Sequence, residues 1–223
     1  MSLKYINHNV LSEDMLGLSK HTLNKKDNKT NDNNVTIGYF SISITYDADI
    51  EMIKPALFKI LKEYGNIKLL LLGELILRGN FTNYINKIIK MKFTDCRQLP
   101  EIISNVDINI TLFEKTIFNQ AKSENIWVEA SLVEVPTIAN NLCSLKNSII
   151  HNETWLLCDN INDWYISLKK LINIQELRKY IGENAYNVCK WRHNTIYTGK
   201  KLANYINKIV NKHMGFFLPS LDV

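Results

Sequence analysis

The sequence predicts an α/β fold, a Rossmann-like, doubly wound sheet of about six parallel strands with helices on both faces. Short runs such as residues 35–40 and 68–72 are almost wholly apolar, which is typical of strands buried on both faces of a parallel sheet. Segments with apolar residues at helical spacing, for example residues 49–64, separate these runs. The 223 residues are 46% hydrophobic with only 8 Gly and 4 Pro, so the chain can bury the core of one domain.

Strands and carboxy-terminal helices account for nearly all of the chain after residue 34. The predicted strands cover residues 35–40, 68–72, 88–93, 107–112, 136–139 and 154–158. The predicted helices cover residues 49–64, 99–104, 123–133, 162–172, 175–189 and 195–212. Asp47 or Asp49 is expected to cap the first of these helices. Right-handed crossovers then place helices on both faces of the sheet.

The chain before the first strand predicts a single helix and a linker. Residues 10–23 have apolar side chains at helical spacing, with Ser12 as the expected N-cap. Residues 24–34 are all polar and cannot offset the entropy of ordering by burial, so they are interpreted as a linker. We therefore expect a helical segment at 1–23, a polar linker at 24–34, one Rossmann-like domain at 35–213 and a tail at 214–223.

Charge, cysteine and histidine patterns exclude several classes of function. The formal net charge is +5, but the lysines are dispersed and no aromatic residues interleave a basic run, so a nucleic-acid partner is not expected. The four cysteines form no C-x-x-C pair and the five histidines no H-x-x-x-H pattern, so neither a zinc site nor any other metal site is predicted. Dinucleotide-binding and P-loop glycine motifs are also absent from the sequence.

The hydropathy pattern favours a cytoplasmic protein. No run approaches the roughly 20 apolar residues that span a bilayer, and the amino terminus lacks the apolar core of a signal peptide. Peripheral contact with a membrane surface stays open. The four tryptophans, Trp127, Trp155, Trp164 and Trp191, are expected to pack in the core or at its boundary.

Ligands of doubly wound sheets bind beyond the carboxyl ends of the strands. The loops that would line such a site here are residues 41–48, 73–79, 113–122 and 140–146. The helix predicted from Ser123 follows one of these loops, and its unpaired N–H groups would attract a diphosphate. Lys122 stands directly before it and would add a positive charge.

The stretch N-Q-A-K-S-E-N-I-W-V-E-A-S-L-V-E-V-P-T-I-A-N at residues 119–140 resembles the signature of one glycosyltransferase family. It is similar to the nucleotide-sugar-binding, carboxy-terminal half of the group 1 glycosyltransferases, which have the GT-B fold. I-G-Y-F-S at 37–41, L-L-L-L-G-E at 69–74 and H-N-E-T-W-L-L-C at 151–158 match the surrounding segments of that family. The resemblance covers about residues 35–210, and residues 10–23 resemble the family's interdomain connection.

The resemblance implies a donor site for a nucleoside-diphosphate sugar. Glu129 would accept hydrogen bonds from the ribose hydroxyls, and Lys122 with the helix start at Ser123 would hold the diphosphate. The other residues that it assigns are Gln120, as a weakened sugar-side contact, and Ser41 and Ser43, as first-loop neighbours of the phosphates. The nucleotide sugar would be a co-substrate, and no tightly held metal or other cofactor is implied.

The implied activity is retaining transfer of a glycosyl residue to a saccharide or similar acceptor, as in polysaccharide biosynthesis. Because the family binds acceptor on a separate amino-terminal domain, this chain is expected to be truncated or to need such a domain. The sequence also departs from the family, with Ala121 for a sugar-side carboxylate, Ile126 for a basic residue and Trp155 for a glycine. Ile42 stands in the first loop, which is commonly rich in glycine. These departures favour the alternative, a non-catalytic binding or assembly module derived from the GT-B fold.

Overall fold

The computed structural model describes residues 11–26, 34–40, 47–74, 79–92, 95–112, 125–141 and 151–214. Over these residues six strands form a single, wholly parallel sheet in the order β3-β2-β1-β4-β5-β6. The strands are β1 (Val35–Phe40), β2 (Ile67–Leu72), β3 (Ile88–Met91), β4 (Ile108–Thr111), β5 (Thr137–Asn140) and β6 (Leu156–Cys158). The predicted doubly wound α/β fold is confirmed.

The described helices are α1 (Glu13–Lys26), α2 (Asp47–Glu63), α3 (Leu99–Ser104), α4 (Asn125–Ser131), α5 (Ile161–Asn173), α6 (Gln175–Arg192) and α7 (Thr195–Met214). Two 3₁₀ segments, Gly79–Lys87 and Cys96–Gln98, precede β3 and α3. Helix α2 packs beside α5 on one face of the sheet, while α3, α4 and α6 form a connected layer with α1.

Alternation along β1 and β2 divides the core between the two faces of the sheet. Ile37 and Leu71 belong to the apolar cluster that includes the buried side of α2 and α5. Phe40 and Leu70 belong instead to the cluster around α3 and the end of α4. Because both faces are covered, these strands read as continuous apolar runs, which is why their bounds could be predicted so closely.

Helix α1 begins where the sequence predicts but extends further. The Ser12 hydroxyl accepts a hydrogen bond from the Met15 N–H at 3.2 Å, so Ser12 is the N-cap as expected. The helix continues to Lys26, three residues into the segment predicted as a linker. Two lysines at its end favour this extension, since cations stabilise the negative end of a helix dipole. Residues 27–33 of the predicted linker lie outside the described residues.

Helix α2 differs from its prediction at the amino end. It begins at Asp47, and Asp49 is buried within the first turn, only 2% exposed. Asp49 is therefore not the residue before the helix, and its assignment as a possible cap is wrong. The helix has several apolar residues at helical spacing that are fully buried, which explains why its existence was clear from the pattern while its first residue was not.

Helix α4 ends earlier than predicted, at a turn that the sequence pattern does not indicate. The Val135 N–H donates to the Ala130 carbonyl and the Glu134 N–H to that of Ser131, which is the Schellman arrangement. Glu134 takes the left-handed position of this motif with φ 56°, where glycine is usual. The predicted helix start at Ser123 lies outside the described residues.

Gly182 of α6 lets that helix pack directly on the α4 turn. A Cβ added to Gly182 would collide with the carbonyl oxygen of Glu134 and lie 2.8 Å from its carbonyl carbon. The obstacle is backbone, already fixed in a left-handed turn, so it cannot move aside as a flexible side chain would. The close approach of α6 to α4 therefore requires glycine at this position.

Gly182→Ala is expected to lower the free energy of unfolding by about 1–2 kcal/mol, since overpacking outweighs the gain of roughly 1 kcal/mol in helix propensity. Gly199→Ala is the matched control, because an added Cβ in α7 meets nothing within 4 Å. The control is expected to stabilise the protein by up to about 1 kcal/mol. Urea unfolding of both variants checks this, and equal stabilisation of the two would contradict the proposed collision.

Candidate functional site

The sheet order reverses between β1 and β4, which are hydrogen-bonded neighbours in its centre. Strands on either side of this point send their crossovers to opposite faces, which opens a crevice beyond their carboxyl ends. The segments that leave β1 and β4, residues 41–46 and 113–124, lie outside the described residues. The described part of this edge consists of the ends of β2, β5 and β6 and of helix α4, which follows β4.

Of the predicted site residues, Glu129 alone is among the described residues. Ser41 and Ser43 lie outside them, as do Gln120, Lys122 and Ser123, so the roles assigned to these five stay predictions. Glu129 belongs to α4, close to the middle of the seven-residue helix. Its two neighbours in sequence, Val128 and Ala130, are buried.

The Glu129 carboxyl is held in an environment that disfavours its charge. The residue is partly buried, and desolvation raises the pKa of its carboxyl to about 7. No hydrogen bond or ion pair joins it to another of the described residues, so nothing there compensates the buried charge. Such a carboxyl is a strong acceptor for incoming hydroxyl donors, because their hydrogen bonds would stabilise its ionised form.

A stack of two tryptophans supports α4 from within the protein. Trp127, two residues before Glu129, lies face to face with Trp155, with ring centroids 5.0 Å apart and planes 18° from parallel. The Trp127 indole N–H donates to the Thr154 carbonyl oxygen at 3.4 Å, and His193 meets the same ring edge-on. Trp155 thus occupies core space at the position where the resemblance expects glycine, and it fixes the helix that carries Glu129.

The predicted packing of the tryptophans is confirmed for three of the four. Trp127, Trp155 and Trp164 are at most 3% exposed, whereas Trp191 is 72% exposed and its predicted place in the core is wrong. The buried residues of α6 recur every fourth position, through Ala185 to Cys189. Trp191 comes two residues after that stripe and therefore points to the other side of the helix.

A cavity of about 280 Å³ lies at the carboxyl ends of β5 and β6. Its polar lining is an amide-rich group from the strand ends and the start of α5, and its apolar lining comes from α2 and α5. The lining residues are Met52, Ile53, Asn140, Asn141, Cys158, Asp159, Asn160, Ile161 and Trp164. The sequence analysis named the loop that begins at residue 140 as part of a ligand site. It did not predict this cavity, because the cavity walls come from residues about a hundred positions apart in the chain.

Hydrogen bonds hold the polar side of the cavity in place. The Asn141 side-chain amide donates to the Asp159 carboxylate at 2.9 Å, and its Oδ1 is buried with no partner among the described residues. The Asn160 Oδ1 accepts from the N–H groups of Asn162 and Asp163 and so caps α5. The cavity wall is therefore a fixed set of amide and carboxylate groups.

Among the described residues of this region, neither a reactive cysteine nor a metal-binding group is found. Burial raises the pKa of the Cys158 thiol to about 12, so it stays protonated and unreactive. Within the described ranges, no group of three His, Cys, Asp or Glu side chains is arranged to hold a metal ion.

Of the helices that the structure describes, none combines the length and apolar character needed to cross a bilayer.

Comparison with known proteins finds similarity to glycosyltransferases. The capsular polysaccharide biosynthesis glycosyltransferase CapM of Staphylococcus aureus is 27% identical over 177 residues, which cover 75% of this chain and 44% of CapM. No protein-family profile matches the sequence.

Solved structures give the same result at the level of the fold. Anabaena HepE, in complex with UDP and glucose, superposes with a TM-score of 0.65 at 15% identity, covering 91% of this chain and 56% of HepE. The carboxy-terminal domain of the group 1 glycosyl transferase LpcC from Francisella tularensis has a TM-score of 0.57 at 18% identity, covering 85% of this chain and 97% of that domain. The chain spans about half the length of HepE and less than half that of CapM.

These matches define the fold of the domain. The chain has the Rossmann-like fold of the carboxy-terminal half of GT-B glycosyltransferases. The resemblance to group 1 glycosyltransferases found in the sequence is confirmed, and CapM is a relative that carries this activity in its name.

Proposed function

We propose that this chain is the donor-binding domain of a glycosyltransferase. It would bind a nucleoside-diphosphate sugar whose glycosyl residue is transferred to a saccharide or similar acceptor. The observation that carries the proposal is the Glu129 carboxyl, which is partly buried, has no partner among the described residues and has its pKa raised to about 7. It lies on the helix that follows β4, and β4 is one of the two strands between which the strand order reverses.

The chemistry of Glu129 suits a diol such as a ribose. A carboxylate has two oxygens and can accept a hydrogen bond from each of two neighbouring hydroxyls. Because burial already disfavours the charge, two such donors would stabilise the ionised carboxyl and draw its pKa back toward the ordinary range. The ligand would therefore supply the hydrogen bonds that the described protein residues do not.

The remaining parts of the donor site are proposed from the sequence. Lys122 and the chain around Ser123 would hold the diphosphate, Gln120 would contact the sugar, and Ser41 and Ser43 would border the phosphates. We propose retaining transfer in the cytoplasm, with acceptor bound by a separate amino-terminal domain and with the nucleotide sugar as co-substrate and no resident cofactor. UDP is the first nucleotide to try, because HepE has been solved in complex with it.

A second candidate is a non-catalytic module that keeps the fold. It is favoured by Ile126, an apolar and half-buried residue of α4 where the family often has a basic side chain. Trp155 favours it too, since a buried indole stands at a position where the family has glycine. Such a module would bind a partner or a ligand without transferring a glycosyl residue.

A thermal-shift screen with UDP, GDP, ADP and their sugar conjugates tests donor binding. A ligand at about one hundred times its Kd adds roughly 2.7 kcal/mol to the free energy of unfolding. For a domain of this size we expect the melting temperature to rise by roughly 5–10 °C with one nucleotide. In Glu129→Gln, measured against its own ligand-free melting temperature, the shift should largely disappear.

Glu183→Gln is the control, since Glu183 is an exposed glutamate of α6 with only a 3.7 Å contact to Lys179. It is expected to keep the full nucleotide-induced shift. A cooperative melt with no shift for any nucleotide would reject the donor site. Binding that survives Glu129→Gln would reject the role of Glu129, and binding without transfer in the presence of an acceptor domain would favour the module.

A further inference from the structure

The cavity between α2 and α5 lies on the face of the sheet opposite to Glu129. Helices α2 and α5 pack beside each other on one face, whereas α4, which carries Glu129, belongs to the layer of α3 and α6 on the other. Every lining residue of the cavity is among the described residues, and Glu129 does not line it. The donor site proposed above therefore does not explain this cavity.

Apolar side chains from two helices form the walls of the cavity. Met52 and Ile53 come from α2, and Ile161 and Trp164 come from α5. Ile53 and Trp164 are buried and belong to the packed core, while Met52 and Ile161 are partly exposed at the mouth. The cavity is therefore a recess of the domain itself, with a firmly packed apolar floor.

The polar edge of the cavity is held in place by hydrogen bonds. The Asn141 backbone N–H donates to the Cys158 carbonyl oxygen at 2.9 Å, and its side-chain amide donates to the Asp159 carboxylate at 2.9 Å. The Asp159 backbone N–H in turn donates to the Asp163 carboxylate at 3.0 Å. A ligand would meet this edge already formed, which lowers the entropy lost on binding.

The polar atoms that this edge offers to a ligand are acceptors. The Asn141 Nδ2 is used by Asp159, whereas the Asn141 Oδ1 is buried and has no partner among the described residues. A carboxylate such as that of Asp159 accepts only, and its two oxygens can take more donors than the single N–H that Asn141 supplies. The matching ligand must therefore carry hydrogen-bond donors side by side.

Charge and size narrow the class of ligand further. The cavity lining contains Asp159 and has no lysine or arginine, and the Asp163 carboxylate lies next to Asp159. A phosphate or another anion would therefore be repelled. The volume of about 280 Å³ is just below the roughly 300–1,000 Å³ of sites for drug-sized ligands, which suits a single ring. These features together indicate a neutral ring with several hydroxyl groups.

We propose that the cavity between α2 and α5 binds one ring of a saccharide, at a site separate from that of the donor nucleotide. Hydroxyls on one edge of the ring donate to the Asn141 Oδ1 and to the Asp159 carboxylate. The C–H groups of the ring contact the apolar walls from α2 and α5. Binding here requires neither Glu129 nor a nucleotide.

Saturation-transfer NMR on the full chain tests the proposal. The probes are the methyl glycosides of glucose, galactose, mannose and N-acetylglucosamine, with sorbitol as an acyclic polyol for comparison. At least one glycoside should bind saturably with a Kd of about 1–10 mM. Sorbitol should bind about tenfold more weakly or not at all, because its flexible chain loses more conformational entropy.

Two pairs of variants locate the binding. Ile161→Trp fills the mouth of the cavity and should abolish glycoside binding, whereas Ile166→Trp, at an equally exposed residue of α5 outside the cavity, should leave it unchanged. Asn141→Leu removes the buried acceptor and should weaken binding about fivefold. Its control is Asn173→Leu at the other end of α5. Because both isoleucines are exposed, their variants are expected to fold, and a cooperative melt verifies this.

Saturating UDP and the Glu129→Gln variant separate this cavity from the donor site. Neither should alter glycoside binding, and its loss in either case would assign the sugar to the donor site and overturn the proposal. The absence of saturable binding for all four glycosides would also overturn it, as would binding that survives Ile161→Trp. A failure of UDP to bind would reject the donor site alone, so the two proposals are judged by different results.

Discussion

Trp155→Ala is expected to lower the free energy of unfolding by about 3–5 kcal/mol, the usual cost of removing a large aromatic side chain from a core. Trp155 is 0% exposed and stacks on Trp127, so its removal leaves a cavity and also takes away one face of the Trp127 ring. The surrounding strands and α6 are closely packed and can collapse only in part. This is the largest effect on stability that we expect from a single substitution in the described chain.

Urea unfolding measures this loss, provided that the dependence of the free energy of unfolding on urea concentration is the same in both proteins. Trp191→Ala is the control. Trp191 is 72% exposed, so its removal should change the free energy of unfolding by no more than about 0.5 kcal/mol. Trp155→Phe should cost clearly less than Trp155→Ala, since it leaves a smaller cavity and removes an indole N–H that is buried without a partner among the described residues. A cost below about 1 kcal/mol for Trp155→Ala would contradict its role as a core residue.

The same substitution bears on the donor site. Trp127 lies on α4 two residues before Glu129, and it is held by the stack and by its hydrogen bond to Thr154. If the stack positions the Glu129 carboxyl, Trp155→Ala should lower the affinity for nucleotide even under conditions in which the variant is fully folded. Unaltered nucleotide affinity in a folded Trp155→Ala protein would separate the core role of Trp155 from the site.

The regular elements could be predicted because their signals are local. Strand β1 and helix α3 have the predicted bounds, and β2 begins one residue early. Each is an apolar run or a helical pattern bordered by polar residues, and a buried parallel strand needs nothing else to be recognised. The cap at Ser12 is local too, since it depends on one hydroxyl three residues from the N–H that it accepts.

Features that depend on distant packing were not predictable. The end of α4 requires Glu134 in a left-handed conformation, and this turn is matched by Gly182, which lies 48 positions further along the chain. The Trp127–Trp155 stack and the cavity between α2 and α5 also join residues whose distance in space no periodicity reveals. Glu129 was identified as a candidate ligand-binding residue from the family resemblance. Its partial burial could be seen only in the folded structure.

Glu129 is expected to make the stability of the protein depend on pH in a direction opposite to that of a salt-bridged carboxylate. Its pKa is raised from 4.5 to about 7 in the folded state, so the folded protein holds this proton more tightly than the unfolded chain does. The free energy of unfolding should therefore fall as the pH rises from about 4.5 through 7. The full penalty above pH 7 is about 3 kcal/mol.

Glu129→Gln removes this dependence, because a neutral amide of the same shape pays no cost of burying a charge. The variant should be more stable than the wild type at pH 8, and its advantage should shrink by about 2–3 kcal/mol between pH 8 and pH 5. Urea unfolding at both pH values measures the difference, and Glu183→Gln, on the exposed side of α6, should show no such change. Parallel curves for wild type and Glu129→Gln would mean that the folded protein does not bury the charged carboxyl.

The ligand-bound protein tests whether the Glu129 carboxyl contacts the nucleotide sugar or is only buried in the fold. A nucleotide sugar whose hydroxyls donate to Glu129 stabilises the ionised form, so the bound protein should lose most of the decline in stability toward pH 8. The sugar conjugate is preferable to the free nucleoside diphosphate, because it lacks a terminal phosphate that titrates near pH 6. If the decline persists unchanged with saturating ligand, the nucleotide does not contact Glu129, and its carboxyl is only a buried group that destabilises the folded protein at high pH.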